Sequence, residues 1–287
     1  MILNNQTNKV YLAEGIKSYG AFAYNLIEAL HGEGIDFGWI PETGRRELIW
    51  ARDYMPVQLE KDLFLQYRYS PDYLAGYPRY IPSYKAICRK MNLSCISTDI
   101  VLDGGNVIKC GDKVIMTDKI FKENPSYDRV KLSGKLESLF SAELVVIPWD
   151  RYEMFGHADG MVRYIGGNRV LLNNYINFDR SLRQRLLDAL SRHFDVAELD
   201  YPVPRRSPLS WAFLNFLQVK DCIFVPMLRI DEQHHAESQI QAAFPDCRVR
   251  FVAGAEDIVK EGGALNCISW NILADEPEEP QVEAEYA

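Results

Sequence analysis

The residues of this sequence that are best suited to chemistry lie in four short segments, far apart in the chain. Near the carboxyl end, the glycine pair Gly262–Gly263 ends four residues before Cys267, which stands at the start of an apolar strand. Because glycine lets a backbone turn tightly or approach a ligand closely, this context favours a nucleophilic cysteine over a structural one. The other segments supply histidine and carboxylates: Trp50-Ala51-Arg52-Asp53, Leu102-Asp103-Gly104-Gly105-Asn106 and Gly156-His157-Ala158-Asp159.

Together, a cysteine, a histidine and several carboxylates point to one kind of substrate. A Cys–His pair is typical of nucleophilic catalysis, because the thiolate is the reactive form and an imidazolium stabilises it. Carboxylates near a thiolate are unusual, since negative charge raises a thiol pKa. They become useful when the substrate is a cation. A guanidinium is planar and always charged, and its donors match carboxylates in pairs. The combination therefore favours attack on a guanidinium carbon.

A repeat along the chain predicts how these segments meet. Five polar residues hold equivalent places in a recurring unit of hairpin, helix and strand, at separations of 50, 54, 58 and 52 residues: Asp53, Asp103, His157, Asn215 and Cys267. A regular period of this size is typical of repeat architectures. Five units around an axis would bring these residues into one central pit.

Short strands alternate with helices through the rest of the sequence. Hydrophobic periodicity and turn residues predict helices over 19–32, 83–91, 127–140, 179–194 and 234–243. They predict strands over 9–13, 37–41, 48–56, 63–67, 143–148, 196–199 and 248–252, and hairpins over 106–117, 160–173 and 211–226. The fold class is therefore α/β.

Composition is that of a folded body with an acidic end. Of 287 residues, 47% are hydrophobic, which is enough for a substantial core. The six acidic residues between Asp275 and Ala287 account for −6 of the net charge of −8, so the body carries −2. We expect one domain over residues 1–272 and an acidic, disordered tail over 273–287.

The same composition argues against several classes of protein. A nearly neutral body offers no electrostatic footprint for nucleic acid. No apolar run is long enough to span a membrane, and the first residues lack a signal-peptide pattern, so we expect a cytoplasmic protein without a membrane partner. The six cysteines are scattered and include no CxxC pair, which argues against a disulfide framework or a zinc ribbon.

These motifs resemble those of the guanidino-group-modifying (pentein) superfamily, and most closely its agmatine deiminase and bacterial-type peptidylarginine deiminase branch. The resemblance runs from about Lys9 to Ile272 and rests on four motifs in order: W-x-R-D, [DE]-G-G-N, G-H-x-D and G-G-x-x-x-C. It implies a pentein α/β-propeller of five pseudo-repeated ββαβ-type units around a central active-site pit. It also implies a deiminase with no cofactor and no metal.

The resemblance further implies a role for each site residue. Cys267 would attack the guanidinium carbon, and His157 would protonate the departing ammonia and then help water attack the adduct. Asp53 and Asp159 would hold the guanidinium nitrogens. Further substrate contacts would come from Asp103, Trp50 and Asn215. The chain departs from the family pattern at Asp103, where Glu is usual, and at Asn266, where His commonly precedes the cysteine.

Other interpretations of the same residues remain open. Asp53 would also suit a structural ion pair with Arg52, and Cys267 would suit a buried core thiol. His157 and Asp159, two residues apart, would share a strand face and could form a metal pair, although no third ligand stands at suitable spacing. Asp103 and its glycines would also form an ordinary turn. Trp50 could pack in the pit wall rather than stack on substrate.

The expected partner is a small guanidine, and agmatine, giving N-carbamoylputrescine and ammonia, is the leading candidate. Free arginine, a peptidyl-arginine substrate and an amidinotransferase reaction share the same chemistry. A non-catalytic binding protein on this fold is a fourth alternative. The sequence leaves a homodimer open.

Overall fold

The computed structural model describes residues 1–43, 48–153, 155–203 and 209–275. Its α-helices are α1 (Ala21–Gly32), α2 (Ala51–Tyr54), α3 (Tyr84–Lys90), α4 (Lys119–Glu123), α5 (Arg129–Phe140), α6 (Tyr175–Phe178), α7 (Arg180–Leu190), α8 (Gln233–Ala243) and α9 (Glu256–Lys260). Its strands are β1 (Lys9–Ala13), β2 (Asp36–Ile40), β3 (Val57–Glu60), β4 (Leu63–Arg68), β5 (Cys95–Val101), β6 (Ile108–Cys110), β7 (Lys113–Thr117), β8 (Glu143–Ile147), β9 (Val162–Gly166), β10 (Arg169–Leu172), β11 (Asp195–Glu198), β12 (Leu217–Val219), β13 (Cys222–Met227), β14 (Arg248–Ala253) and β15 (Ser269–Ile272).

Within the described residues, the strands form five three-stranded sheets of one design. Four of them are β3-β4-β5, β6-β7-β8, β9-β10-β11 and β12-β13-β14, each in chain order. In each of these four sheets the first two strands form an antiparallel hairpin, and a helical crossover returns the chain so that the third strand runs parallel to the second. This is the hairpin, helix and strand unit that the repeat predicts.

The fifth sheet joins the two ends of the described chain. Its order is β15-β1-β2, with β15 antiparallel to β1 and β1 parallel to β2. Lys9 faces Ile272 across this pair, and Asn8 bonds Ala274 through both its amide nitrogen and its amide oxygen. Closure by the chain ends completes five ββαβ units, which confirms the predicted pentein α/β-propeller.

The first strand of each sheet, named here the inner strand, contacts its counterparts in neighbouring sheets. The inner strands are β3, β6, β9, β12 and β15. Asn271 of β15 donates to the Gln218 carbonyl oxygen of β12 at 3.1 Å, and Gln58 of β3 donates to the Leu273 carbonyl oxygen just after β15 at 2.8 Å. The inner strands therefore surround the common axis.

The crossover helices bury one face against the sheets. In α7, Leu182, Leu186 and Leu190 recur at a spacing of four and are fully buried with the side chains of β8 and β10. Asp179 begins this helix by accepting a hydrogen bond from the Leu182 amide at 2.9 Å. The predicted helix over 179–194 is thus confirmed in its central part, and its last residues form a turn into β11.

Two segments differ from the sequence-based prediction. The predicted strand over 48–56 is wrong: α2 occupies its centre, and β3 begins only after Pro56. Tyr67 holds this turn by donating to the carbonyl oxygens of Asp53 and Met55, a tertiary contact that periodicity does not reveal. The first arm of the hairpin over 211–226 also shortens, because residues 212–214 form a 3₁₀ turn before β12.

The end of the described chain packs on the body. The Leu273 amide donates to Gln58, and Asp275 pairs with Lys61, so these tail residues contact the domain instead of leaving it at residue 273. The rest of the predicted acidic tail lies outside the described residues. No described helix is both long and apolar enough to cross a membrane. The cytoplasmic location and the homodimer stay predictions.

Candidate functional site

The five polar residues picked out by the repeat converge at one end of the axis. Each precedes an inner strand: Asp53 before β3, Asp103 before β6, His157 before β9, Asn215 before β12 and Cys267 before β15. Hydrogen bonds between these segments hold them together. The Asp159 amide donates to the Gly105 carbonyl oxygen at 3.0 Å, and the Arg52 amide donates to the Cys267 carbonyl oxygen at 3.0 Å. Residues more than 200 positions apart thus meet in one pit.

Cys267 lies on the pit floor with its thiol aimed at a carboxylate. Its side chain is almost fully buried, and Sγ is 3.6 Å from Oδ2 of Asp159. Asn215 supports it from behind: Oδ1 accepts from the Cys267 amide at 3.3 Å, and the Asn215 carbonyl oxygen accepts from the Asn266 amide. Asn215 is fully buried. Its side chain therefore lies behind Cys267 and orients its backbone, and the substrate contact expected from sequence stays a prediction.

The glycine pair before Cys267 makes room for aromatic walls. A Cβ on Gly263 would stand 2.1 Å from Cζ3 of Trp50, and one on Gly262 would stand 2.5 Å from Cε2 of Phe155. Gly262 also has φ +101°, a conformation that strains other residues. Glycine is thus required so that both rings can close around the segment carrying the cysteine. Trp50 packs in the wall of the pit and also lines the open space beside Cys267.

His157 stands between two carboxylates. Its Nε2 is 2.9 Å from Oδ2 of Asp103, and its Nδ1 is 3.6 Å from Oδ1 of Asp53. A Cβ on Gly105 would come within 2.6 Å of Nδ1, so this glycine lets the ring approach the loop. Asp103 is almost fully buried and holds the imidazole instead of facing the cavity.

Asp159 reaches the pit from a loop, not from a strand. Residues 156–161 precede β9 and form turns, so the expected strand face shared with His157 is wrong. Oδ2 of Asp159 accepts from Nδ2 of Asn266 at 2.7 Å and lies beside the Cys267 thiol. Asn266 thus orients a carboxylate. Among the described residues, no group of three or more His, Cys, Asp or Glu side chains is arranged to hold a metal ion.

Electrostatics in the pit favour a thiol and an imidazolium at neutral pH. Burial raises the pKa of Cys267 well above its usual range, and the charges of Asp159 and Asp53 raise it further. Burial alone would lower the pKa of His157, but Asp53, Asp103 and Asp159 together raise it to about 10. Burial raises the pKa of Asp53 to about 7, against the stabilising charge of His157. The carboxylates thus stabilise positive charge and disfavour the thiolate.

A buried lysine that sequence reasoning missed also holds Asp103. Nζ of Lys119 lies 3.8 Å from Oδ2 of Asp103, 3.2 Å from Oε1 of Glu123 and 3.3 Å from Oδ1 of Asp72. Burial alone would lower the pKa of Lys119, but these three carboxylates raise it. In the sequence, Lys119 and Glu123 look like an ordinary surface pair on one helix face, and nothing there signals burial. Asp103 therefore lies between two cations.

Arg52 does not pair with Asp53, which removes one of the open interpretations. Its Nη2 donates to Oδ1 of Asn271 at 2.5 Å, and its Nε donates to the Asn266 carbonyl oxygen at 3.3 Å. Arg52 thus fastens the segment that carries Cys267 onto α2. Asp53 is left to face His157 and the Gly105 amide, which donates to Oδ1 at 3.1 Å.

Two cavities open onto the Cys267 thiol and meet at Phe155, His157 and Gly262. The larger holds about 470 Å³, and aromatic side chains such as Phe178 and Trp211 dominate its wall. The smaller holds about 350 Å³ and is lined by Asp53, by Glu261 at its rim and, besides Phe155, by four more aromatic residues: Trp50, Tyr69, Tyr73 and Tyr80. Among its described lining residues, the only group that can carry positive charge is His157.

Comparison with known proteins identifies the family. The model of the Porphyromonas-type peptidyl-arginine deiminase family matches residues 43–272. The chain belongs to this family. The match includes the segments of all five residues that converge in the pit.

Curated relatives are about a quarter identical to the chain over the aligned residues. An agmatine deiminase from Pseudomonas aeruginosa is 25% identical over 60% of this chain and 56% of its own length. A putative agmatine deiminase from Enterococcus faecalis is 26% identical over 64% of this chain and 60% of its own. The chain thus spans little more than half the length of the curated relatives it matches.

Solved structures share the fold over almost the whole chain. A substrate-bound agmatine deiminase of C. jejuni superposes with a TM-score of 0.75 at 14% identity, covering 95% of both chains. A putative peptidyl-arginine deiminase gives a TM-score of 0.78 at 12% identity, covering 96% of this chain and 98% of its own. At these identities the likeness establishes the pentein fold.

Proposed function

We propose that this protein is a guanidine deiminase that converts agmatine and water to N-carbamoylputrescine and ammonia. The observation that carries the proposal is the arrangement at the pit floor, where the Cys267 thiol lies 3.6 Å from Asp159 and shares its cavities with His157. A thiol surrounded by carboxylates is poorly suited to neutral or anionic electrophiles. It is well suited to a cation that brings its own positive charge to the sulfur.

Substrate binding activates the nucleophile. Asp53 and Asp159 hold the guanidinium nitrogens, and this planar cation offsets the negative charge that keeps the thiol protonated. The pKa of Cys267 therefore falls when substrate binds, the thiol proton passes to solvent water, and the thiolate forms only against the carbon it attacks. Of the two activation routes that the sequence left open, the resting thiol agrees better with the raised pKa of Cys267.

The first half-reaction forms a covalent adduct. The Cys267 sulfur attacks the guanidinium carbon to give a tetrahedral intermediate. The imidazolium of His157, kept protonated by Asp53 and Asp103, donates a proton to one terminal nitrogen. The C–N bond then breaks, ammonia leaves, and a thiouronium remains on Cys267.

The second half-reaction restores the enzyme. His157, now neutral, takes a proton from water as the water oxygen attacks the thiouronium carbon. The C–S bond breaks, the ureido product leaves and Cys267 regains its proton. Asp103 keeps one imidazole nitrogen engaged throughout, so the other can exchange the proton with substrate and water.

The smaller cavity supports agmatine over free arginine. Agmatine carries an ammonium where arginine carries a carboxylate and an α-amino group. The carboxylate of Glu261 and the rings of Trp50, Tyr69, Tyr73 and Tyr80 suit an ammonium, through charge pairing and cation–π contact. Among the described residues of this wall, no arginine or lysine is present to bind a carboxylate.

A peptidyl-arginine substrate is the second candidate. The family model is described by that activity. The larger cavity is also bordered by Tyr152, which is 80% exposed, and it has the volume and the aromatic lining that a peptide could use. The two candidates differ in the tail of the substrate and share every step at Cys267.

An ammonia-release assay across three guanidines tests the proposal. Purified protein is given agmatine, free arginine or an arginine peptide blocked at both ends, and the ureido product is identified by mass spectrometry. We expect kcat/KM to be highest for agmatine. Preference for the blocked peptide would establish the second candidate, and no release from any guanidine by folded protein would contradict deiminase activity.

A further inference from the structure

A third cavity opens at the opposite end of the same axis. It holds about 340 Å³, and its wall includes Lys109 of β6, Arg163 of β9 and Gln218 of β12. Arg52 and Asn266 separate it from the pit, since both line this cavity while their segments hold Cys267. The inner strands therefore carry two sites, which we call the pit and the rear cavity.

Two cations of the rear cavity lack an acceptor. Arg163 is only 2% exposed, and Nη1 and Nη2 of its guanidinium are buried with no hydrogen-bond partner among the described residues. One face of that guanidinium stacks on the Phe216 ring, with Cζ 4.3 Å from the centroid, a contact that does not use its N–H donors. Lys109 is half-buried and shows no ion pair or hydrogen bond from Nζ within the described part of the chain.

Buried donors without partners are rare and costly, so such a group implies a ligand or ordered solvent. Arg52 lines the same cavity but differs from Arg163, because its guanidinium donates hydrogen bonds to Asn266 and Asn271. Among the polar residues of neighbouring inner strands, Gln58 and Asn271 are also bonded to protein. Lys109 and Arg163 break this pattern of satisfied polar groups.

The charges of the rear cavity repel one another. Burial lowers the pKa of Lys109 to about 7, and the charges of Arg52 and Arg163 lower it further. Lys220 adds a fourth cation at the rim. Two carboxylates also line the rim, Asp221 and Asp246; Asp221 pairs with Arg248 at 3.0 Å. The rear cavity is thus lined by four basic and two acidic side chains.

We propose that the rear cavity binds a small phosphate-class oxyanion, either inorganic phosphate or a phosphate monoester. The free edge of the Arg163 guanidinium offers two parallel donors to two phosphate oxygens, and the ammonium of Lys109 supplies a third contact. The positive charge of Arg52 adds to the attraction. The volume accommodates phosphate with a short organic substituent.

The bound anion also affects the pit, a consequence that rests on the proposed function. Asp159 and the Cys267 thiolate attract both Arg163 and Arg52. An anion beside these arginines offsets the positive charge that helps Cys267 ionise. Phosphate therefore lowers turnover without competing with the guanidine.

Calorimetric titration of the full chain tests the site without reference to activity. The protein, in a buffer without phosphate, is titrated with inorganic phosphate and separately with glycerol phosphate, with chloride at matched ionic strength as a blank. We expect one site per chain for at least one of the two ligands. Binding of glycerol phosphate alone supports a monoester site, and binding of both supports a phosphate site.

Two variants and a control decide where the anion binds. Arg163→Gln and Lys109→Gln should each weaken phosphate-class binding by about tenfold or more, because each removes a buried charge–charge contact. Lys131→Gln removes an exposed lysine of α5 and should leave binding unchanged. If Arg163→Gln fails to fold, Lys109→Gln, at a half-buried position, decides alone. Absence of binding, or equal binding by wild type and Lys109→Gln, would overturn the proposal.

Discussion

The pit and the rear cavity are built on the same five inner strands, yet they carry opposite charge. At the amino-terminal ends of the strands, Asp53, Asp103 and Asp159 surround a cysteine and a histidine. Farther along two of these strands, Lys109 and Arg163 line a second cavity, and their terminal nitrogens have no hydrogen-bond partner among the described residues. The repeat therefore fixes where side chains meet, while the residue type at each position determines what they bind.

The two sites also differ in which of their polar groups lack a partner among the described residues. In the pit, His157 bonds Asp103, and Asp159 bonds Asn266 and faces the Cys267 thiol. The unpartnered atoms there are Nδ2 of Asn215, an uncharged donor, and Oδ1 of Asp103, whose carboxylate already holds the imidazole. In the rear cavity, the unpartnered atoms are the cationic donors of Arg163. A site that holds its charged groups in position is suited to catalysis, because reacting groups must be oriented beforehand. A site with an unpaired cationic group is suited to binding an anion.

The largest expected effect tests the proposal that the pit, and not the rear cavity, carries out the chemistry. Cys267→Ala should lower kcat for agmatine by about 10⁴-fold or more, because no covalent adduct can form. The matched control is Cys95→Ala, which removes a thiol far from the pit in β5. Circular dichroism of both variants should match the wild type. Substantial ammonia release by Cys267→Ala would rule out the covalent mechanism.

A smaller effect is expected from Asp103→Asn, which keeps the shape but removes the charge beside His157. We expect kcat to fall by about 10²-fold, the scale of general acid catalysis. The raised pKa of His157 keeps its acid form through neutral pH, and that form is lost as pH rises toward about 10. The alkaline limb of the kcat profile should therefore move to lower pH in the variant.

Asp99→Asn, a surface change in β5, serves as the control and should leave the alkaline limb in place. Asp103→Glu should retain more activity than Asp103→Asn, because it keeps the negative charge. A lower kcat in Asp103→Asn with an unchanged pH profile would mean that Asp103 acts only through packing and does not hold the imidazolium.

The smallest expected effect concerns the ammonium end of agmatine, which we place in the smaller cavity. Glu261→Gln should raise KM for agmatine by about fivefold, the scale of an exposed ion pair, while kcat stays near wild type. The same variant should leave KM for n-butylguanidine, which lacks the ammonium, unchanged. Glu28→Gln on the exposed face of α1 is the control. Equal effects on both substrates would place the ammonium elsewhere.

Much of the fold could be predicted from the sequence because each unit carries local signals. Turns between apolar runs indicate the hairpins, and the leucines of α7 indicate a buried helix face. The segment before Pro56 could not be predicted in this way, since an apolar stretch is compatible with strand or helix. Two hydrogen bonds favour the helix there, one donated by the Tyr67 hydroxyl and one that the Cys267 carbonyl oxygen accepts from the Arg52 amide, and both Tyr67 and Cys267 lie outside the segment.

The candidate site shows the same division between local and tertiary information. Cys267, His157, Asp53 and Asp159 could be grouped from motifs, since each motif precedes an inner strand. How deeply each side chain is buried could not be predicted in this way, and in the structure Asn215 and Asp103 lie behind Cys267 and His157. Arg163 and Lys119 gave no signal because lysine and arginine in strands and helices usually reach solvent. Only the packing of neighbouring units makes them interior cations.

The most direct test of the account compares two alkylating reagents on Cys267. Wild-type protein is treated with neutral iodoacetamide or cationic chloroacetamidine between pH 6 and pH 10, and the modified residue is identified by mass spectrometry. If Cys267 rests as a thiol that a cation ionises, the amidinium should modify it rapidly at pH 7, whereas iodoacetamide should react slowly until the pH is well above the ordinary thiol pKa. Equally rapid reaction of both reagents at pH 7 would show a resting thiolate and contradict the account.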